Sequence, residues 1–260
     1  MSISPPTTGY APVNGLQMYY EIHGQGLPLV LIHGGGSTIE SNFSQILPEL
    51  AKTRKVIAIE EQGHGHTRAI DRPFTFENSA DDVAGLLDHL KIAKADVFGF
   101  SNGGSIAMRV AIRHPKKVNK LIVASTQYTR AGMVAGFWDG MKHASLDNMP
   151  QALKDADRKI NPDPKHLEQL FLQDSQRMIG FKDWPAEDLK AIQAPTLLIV
   201  GDQDVVTAEH VLEMHRLIPN SRLAILPANH GSYLGEIASR EPDSVMPQVT
   251  VMILNQFLGQ

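Results

Sequence analysis

Six largely apolar runs of strand length punctuate the chain: Leu29-Val30-Leu31-Ile32, Val56-Ile57-Ala58-Ile59, Asp96-Val97-Phe98, Leu121-Ile122-Val123-Ala124, Thr196-Leu197-Leu198-Ile199-Val200 and Leu223-Ala224-Ile225-Leu226. Runs without polar alternation predict strands buried on both faces, as in a parallel sheet covered by helices. Ahead of them, Gly15 to Gly24 alternates as an edge strand does, and Asn14-Gly15 supplies a hairpin turn before it. Helical spacing fills the gaps. Val83, Leu86, Leu87 and Leu90 share one face of a helix over Ala80 to Leu90, capped by Asn78 or Ser79. A second helix over Ser105 to His114 stops at Pro115, and a third covers Ala208 to Leu217. Strand alternating with helix predicts an α/β fold with a doubly wound sheet.

One stretch departs from that rhythm. From Thr126 to Ile192 no strand-like run occurs, and the helical pattern is broken by Pro150, Pro162, Pro164 and Pro185. This predicts a helical insertion after the sixth strand, dividing the chain into residues 1–125, 126–192 and 193–260. Its Phe137, Trp138, Met141, Phe171, Met178 and Trp184 would either line a pocket or join the helices to the sheet, as apolar helix faces usually do.

Composition narrows the partners. The 24 basic and 28 acidic residues give a net charge of −4 with no long run of either sign, which argues against nucleic acid and membrane surfaces and for a small molecule. The absence of cysteine removes disulfides, thiolate metal sites and a thiol nucleophile. Met1 to Tyr10 lacks the basic-then-apolar order of a leader, and no run of about eighteen apolar residues occurs. The expectation is a soluble cytoplasmic protein, with a periplasmic form whose leader has been removed left open.

The candidate chemistry centres on Gly99-Phe100-Ser101-Asn102-Gly103, a G-x-S-x-G pentapeptide placed where a strand turns into a helix. Small residues at Gly99 and Gly103 permit a strained turn that lifts the Ser101 hydroxyl clear of the sheet. A serine hydroxyl is a weak nucleophile and needs a histidine base, which in turn needs an acid to fix its tautomer. Gly201-Asp202-Gln203-Asp204 follows one strand-like run, and Pro227-Ala228-Asn229-His230-Gly231 follows the next.

With serine, acid and histidine in this order, each just past a strand, the chain resembles the α/β-hydrolase superfamily, specifically its single-domain members with a helical lid. The resemblance extends from Gly15 to Phe257. It implies the α/β-hydrolase fold, a mostly parallel eight-stranded sheet with the lid after the sixth strand. It further implies a triad of Ser101, Asp204 and His230, with Asp202 as the alternative acid, and no cofactor or metal. The residue after the nucleophile, Asn102, supplies one oxyanion-hole amide. His33-Gly34-Gly35-Gly36 supplies the other, assigned to Gly35 with Gly34 next. Glu60 to Thr67 resembles the family's D-x-x-G-x-G-x-S turn but has Glu60 and Thr67 in place of the aspartate and serine, and is expected to be structural. So are the histidines His64 and His66. Arg130, Arg158 and Arg177 are expected to be solvated, leaving no cluster for a phosphate or dicarboxylate.

The chemistry so implied is hydrolysis of carboxylic esters of small or medium apolar substrates through an acyl-enzyme, by a monomer or homodimer. Gly34, Phe137, Trp138, Met141 and Trp184 are the expected substrate contacts. A serine at the elbow argues against haloalkane dehalogenases and epoxide hydrolases, which use aspartate there. Hydrolases of carbon–carbon bonds in ring-fission products typically carry Asn before the serine, where this chain has Phe100, so that alternative loses weight but stays open. Enol-lactone hydrolysis uses the same chemistry as ester hydrolysis, and a ligand receptor on this fold is the non-enzyme alternative, distinguished by slow or single turnover.

Overall fold

A computed structural model describes residues 5–259; the first four residues of the Met1–Tyr10 segment and Gln260 lie outside it. The strands are β1 (Thr7–Val13), β2 (Leu16–His23), β3 (Leu27–Ile32), β4 (Arg54–Ile59), β5 (Ala95–Phe100), β6 (Val118–Ala124), β7 (Thr196–Gln203) and β8 (Ser221–Asn229). They form one eight-stranded sheet in the order β1-β2-β4-β3-β5-β6-β7-β8. Only β1–β2 and β2–β4 pair antiparallel; the other neighbours are parallel.

The hairpin forms where Asn14-Gly15 predicts it. Both residues have positive φ, 48° and 83°, as a two-residue turn matched to the strand twist requires. The alternating segment is not the edge strand, because β1 lies outside it.

The helices are α1 (Ile39–Phe43), α2 (Leu47–Leu50), α3 (Phe76–His89), α4 (Asn102–Arg113), α5 (Phe137–Lys142), α6 (Gln151–Ile160), α7 (Pro164–Ile179), α8 (Ala186–Lys190), α9 (Ala208–Leu217) and α10 (Met246–Leu258). Helix α9 has its expected bounds. Helix α3 starts four residues early because Thr75, not Asn78 or Ser79, is the cap: its hydroxyl accepts the Asn78 amide at 3.1 Å, while the Asn78 side chain turns back to Pro73 O. Helix α4 begins directly at Asn102, with no spacer after the turn.

Successive residues of the central strands serve opposite cores. Val30, Ile32, Ile57 and Val97 pack on the α3–α4 side, whereas Leu29, Leu31, Val56 and Phe98 pack against α1, α2 and α10. This accounts for the continuous apolar runs. Strand β8 departs from the pattern because it is the far edge, and Ile225 is 47% exposed. The segment between β6 and β7 carries α5 to α8 and no named strand among the described residues; Met133 makes one isolated bridge to Val206.

At the ends of the strands away from the serine turn, Arg54 is buried with Asp96. Arg54 Nη1 donates to Asp96 Oδ2 and Nη2 to Leu258 O, both at 2.7 Å, and Asn119 Nδ2 holds the other Asp96 oxygen at 2.7 Å. Breaking such a pair strands a charge in the core. Arg54→Ala is expected to lower stability by about 3–5 kcal/mol in urea unfolding, and the double variant combining Arg54→Met with Asp96→Leu by much less. A loss below about 1 kcal/mol for Arg54→Ala would contradict the assignment.

Candidate active site

The site lies at the carboxyl ends of the parallel strands. Ser101 joins β5 to α4 at φ 54° and ψ −121°, a conformation that a residue with a side chain seldom adopts. Its amide donates to Ala124 O at 2.8 Å, tying the turn to the end of β6. The turn closes because Gly99 has no Cβ: one added there would lie 1.9 Å from Gly103 O.

Ser101 Oγ is 3.1 Å from His230 Nε2, and His230 Nδ1 is 2.7 Å from Asp204 Oδ1. Asp204 is delivered by the turn after β7 and His230 by the turn after β8, beside the ring of Phe100 at 4.8 Å. Asp202 is elsewhere. It is exposed and accepts the Ala228 amide at 3.0 Å, a turn-fixing role. Two residues that the sequence did not single out complete the acid's surroundings. Ser125 Oγ donates to Asp204 Oδ2 at 2.5 Å, and Tyr233 OH donates in turn to Ser125 Oγ at 2.6 Å. Burial opposes the charge of Asp204, but His230, Ser125 and the Val206 amide outweigh it and hold the carboxyl below its usual range. Burial, with the Asp204 charge adding, pushes the Tyr233 phenol well up, which keeps it a donor.

A cavity of about 390 Å³ opens over Ser101 and His230. Gly35 and Asn102 border it, and as the first residue of α4 Asn102 has an N–H with no intrahelical acceptor. The walls are mainly apolar and flexible: Met133, Phe137, Met141, Met149, Phe171 and Met178. One carboxylate, Asp174 of α7, joins them, and no arginine or lysine does among the described residues.

Behind Asp174 lies a cluster of buried charge. Asp174 Oδ1 accepts Arg177 Nη2 at 2.9 Å, and Arg177 holds Glu61 through two further bonds at 2.8 and 3.1 Å. His33 and His64 sit ring to ring at 4.9 Å, both buried, and their surroundings shift them in opposite directions. His33 Nδ1–H donates to Gly34 O at 2.8 Å while Nε2 accepts the Glu61 amide at 3.3 Å, a neutral ring. Burial, with the charge of His64 adding, pushes its pKa down to about 4. His64 Nδ1 faces Gln62 O at 3.1 Å and Nε2 faces Asp174 Oδ2 at 3.0 Å, two acceptors that call for a proton on each nitrogen. Burial opposes its cation, but Asp174 and Glu61 prevail and raise its pKa. Although His33, Glu61 and His64 bring ligand-type atoms within 4.8 Å of one another, Arg177 already chelates Glu61 and both His64 nitrogens act as donors. That donor chemistry does not suit a metal ion.

Several expected contacts fall elsewhere. Phe137 and Met141 face the cavity, but Trp138 does not: its indole N–H bonds Arg130 O at 2.7 Å, and the Arg130 guanidinium stacks on its ring at 3.7 Å. Trp184 is core, edge-on to Phe76 at 6.3 Å and stacked by Arg109, beside a separate hollow. An indole needs both apolar contact and a partner for its edge, and the base of the helical segment offers these. Gly34 is covered, its amide held by Asn42. Arg158 is exposed as expected, whereas Arg177 is buried in the charge cluster. Glu60 and Thr67 hold their turn: Glu60 accepts the His66 amide at 2.6 Å, and Thr67 bonds Glu60 O and the Tyr19 amide. An acid and a base three residues apart among the apolar positions of α7, Asp174 and Arg177, were the available signal for the cluster.

The two histidines give a direct check. In ¹⁵N NMR at about pH 6, His33 is expected to be neutral with its proton on Nδ1 and His64 doubly protonated; both rings titrating together near the ordinary histidine value of about 6.5 would contradict this assignment.

With this geometry in view, the chain was compared with known proteins. A family described as the alpha/beta hydrolase fold matches residues 28–162. The 2-hydroxymuconate semialdehyde hydrolase of Pseudomonas sp. (strain CF600) is 40% identical over 112 residues, 42% of this chain and 40% of that protein, so the chain spans less than half the length of this relative. The pimeloyl-[acyl-carrier protein] methyl ester esterase of Neisseria meningitidis serogroup B (strain H44/76) is 29% identical over 228 residues, 78% of this chain and 86% of that one. Among solved structures, a serine hydrolase involved in carbazole degradation superposes with a TM-score of 0.79 at 23% identity, covering 98% of this chain and 99% of that chain, a likeness of fold. The chain belongs to the alpha/beta hydrolase fold family.

Proposed function

We propose that this protein is a serine hydrolase that cleaves neutral carboxylic esters with small or medium apolar acyl groups through an acyl-enzyme intermediate. The observation that carries the reading is the continuous relay Ser101–His230–Asp204 opening into a mainly apolar cavity bordered by Gly35 and Asn102. His230 Nε2 takes the Ser101 proton as Oγ attacks the ester carbonyl, and Asp204 stabilises the imidazolium. The developing oxyanion is held by the amides of Gly35 and Asn102. Collapse breaks the ester C–O bond, and His230 returns the proton to the departing alcohol. Water then enters and attacks the acyl carbonyl as His230 takes its proton; the bond from the carbonyl carbon to Ser101 Oγ breaks, His230 returns the proton to Oγ, and the acid leaves. The segment 126–192 acts as a lid in this reading, supplying the methionine and phenylalanine walls.

Carbon–carbon hydrolysis is the second reading, favoured by the similarity to 2-hydroxymuconate semialdehyde hydrolase. That substrate carries a carboxylate. Here the cavity presents Asp174 and no cationic side chain among the described residues, so a bound carboxylate would lose its hydration with only neutral donors to replace it. Lactones, neutral and opened by the same steps, remain within the proposal's chemistry.

Two outcomes are expected. Ser101→Ala should lower kcat on p-nitrophenyl butyrate by roughly a thousandfold or more with the fold intact by circular dichroism; undiminished turnover would overturn the nucleophile assignment. In a series of p-nitrophenyl esters, lactones and ring-fission semialdehydes, a neutral butyrate should exceed its ω-carboxylate counterpart in kcat/KM by about tenfold or more, the scale of an unpaired buried charge. A semialdehyde turned over faster than every ester would favour the second reading instead.

A further inference from the structure

The amides of Gly34, Gly35 and Gly36 are used differently. That of Gly34 donates to Asn42 Oδ1 at 2.7 Å, from α1 of the core. That of Gly36 donates to Asp174 Oδ2 at 2.6 Å, from α7 of the helical segment; the same amide lies farther, 3.3 Å, from His64 Nε2. The Gly35 amide, between them, has no acceptor among the described residues. Its peptide plane is fixed at the other end, where Gly34 O accepts His33 Nδ1–H at 2.8 Å.

Gly35 is also gripped from two sides. A Cβ there would lie 2.5 Å from Asn102 Nδ2 and 3.3 Å from Asp174 Oδ2. The side-chain amide beside the nucleophile thus has a place: it packs on Gly35, which borders the cavity. Glycine backbone is otherwise the freest in the chain, and an unanchored peptide here is able to turn its N–H away.

We propose that Asp174 is a positioning residue for the oxyanion hole, holding the Gly36 amide so that the Gly35 N–H points into the cavity only while α7 is seated on the core. This rests on the ester reading in one respect, that the Gly35 N–H receives the developing oxyanion. A bare carboxylate so close would oppose a second negative charge. Asp174 is not bare: His64 Nε2 and Arg177 Nη2 both donate to it, and Glu61 balances the second cation. A charge-assisted acceptor gives a firmer tether than a neutral one, while the cluster as a whole carries no net charge. Lid docking and completion of the hole are in this way the same event.

The test compares Asp174→Ala, Asp174→Asn and Asn161→Ala, the last removing a different bond from the helical segment to the core, Asn161 Nδ2 to Gly65 O at 2.7 Å. Asp174→Ala is expected to lower kcat on p-nitrophenyl butyrate by about tenfold or more, part of the hundredfold or greater effect of losing an oxyanion donor, with KM changed less than threefold. Affinity for an alkyl boronic acid, which becomes tetrahedral on Ser101, should fall in parallel, and hydrogen exchange at the Gly36 amide should accelerate. Asp174→Asn, which keeps an oxygen acceptor, should recover part of each loss and serves as the reporter if the alanine variant does not fold. Asn161→Ala should leave kcat within about twofold. Wild-type kcat in Asp174→Ala, a loss confined to KM, or an equal loss in Asn161→Ala would overturn the proposal. If the wild-type protein turns over no ester, the ester reading fails, and the Gly36 amide decides alone: exchange unchanged by either Asp174 variant contradicts the tether, and faster exchange supports it.

Discussion

The site depends on how closely β3, β5 and α4 approach one another at the serine turn. Holding Ser101 at positive φ costs about 1–3 kcal/mol, and the surrounding structure has to enforce it. Enforcement comes from contacts that only glycine allows. A Cβ on Gly103 would lie 2.2 Å from Ile32 O, so the first turn of α4 rests directly on the end of β3. The chain leaving β3 is His33-Gly34-Gly35-Gly36. The close packing that raises the serine therefore also brings the glycine loop beside it, and one constraint places Ser101 next to Gly34 and Gly35.

Charge is distributed to fit this arrangement. The acid of the relay is fully desolvated, yet His230, Ser125 and a backbone amide keep it ionised. The cluster of Glu61, His64, Asp174 and Arg177 joins α7 to the sheet domain through two anions and two cations. Buried ion pairs are seldom a net source of stability, since desolvation offsets most of their attraction. What they provide here is registry: the helical segment seats in one position, with Asp174 over the glycine loop.

The sheet was legible in the sequence because burial on both faces leaves a continuous apolar run, and the grouping of Ser101, Asp204 and His230 because each follows such a run. Failures came where a residue's place is decided by distant partners. Trp138 and Trp184 fitted either a pocket wall or the joint between helices and sheet, and Arg130 O, the Arg130 and Arg109 guanidinium groups and Phe76 hold them in the joint. Arg177 read as solvated because its partners, Glu61 and Asp174, are 116 and three residues away, and only folding places the first against it. The start of α3 was displaced because several cap-forming residues stand in a row, and the burial of Phe76 favours the earliest, Thr75. The side chain of Asn102 had no place in the sequence pattern, and only folding sets it against Gly35.

In the proposed reaction Ser101 carries the acyl group during turnover. Mass spectrometry of protein quenched in acid during hydrolysis of p-nitrophenyl butyrate tests it most directly. The account predicts a butyryl increment on the peptide containing Ser101, absent from Ser101→Ala. Turnover with no acyl group on that peptide, or with one on a different residue, would contradict it.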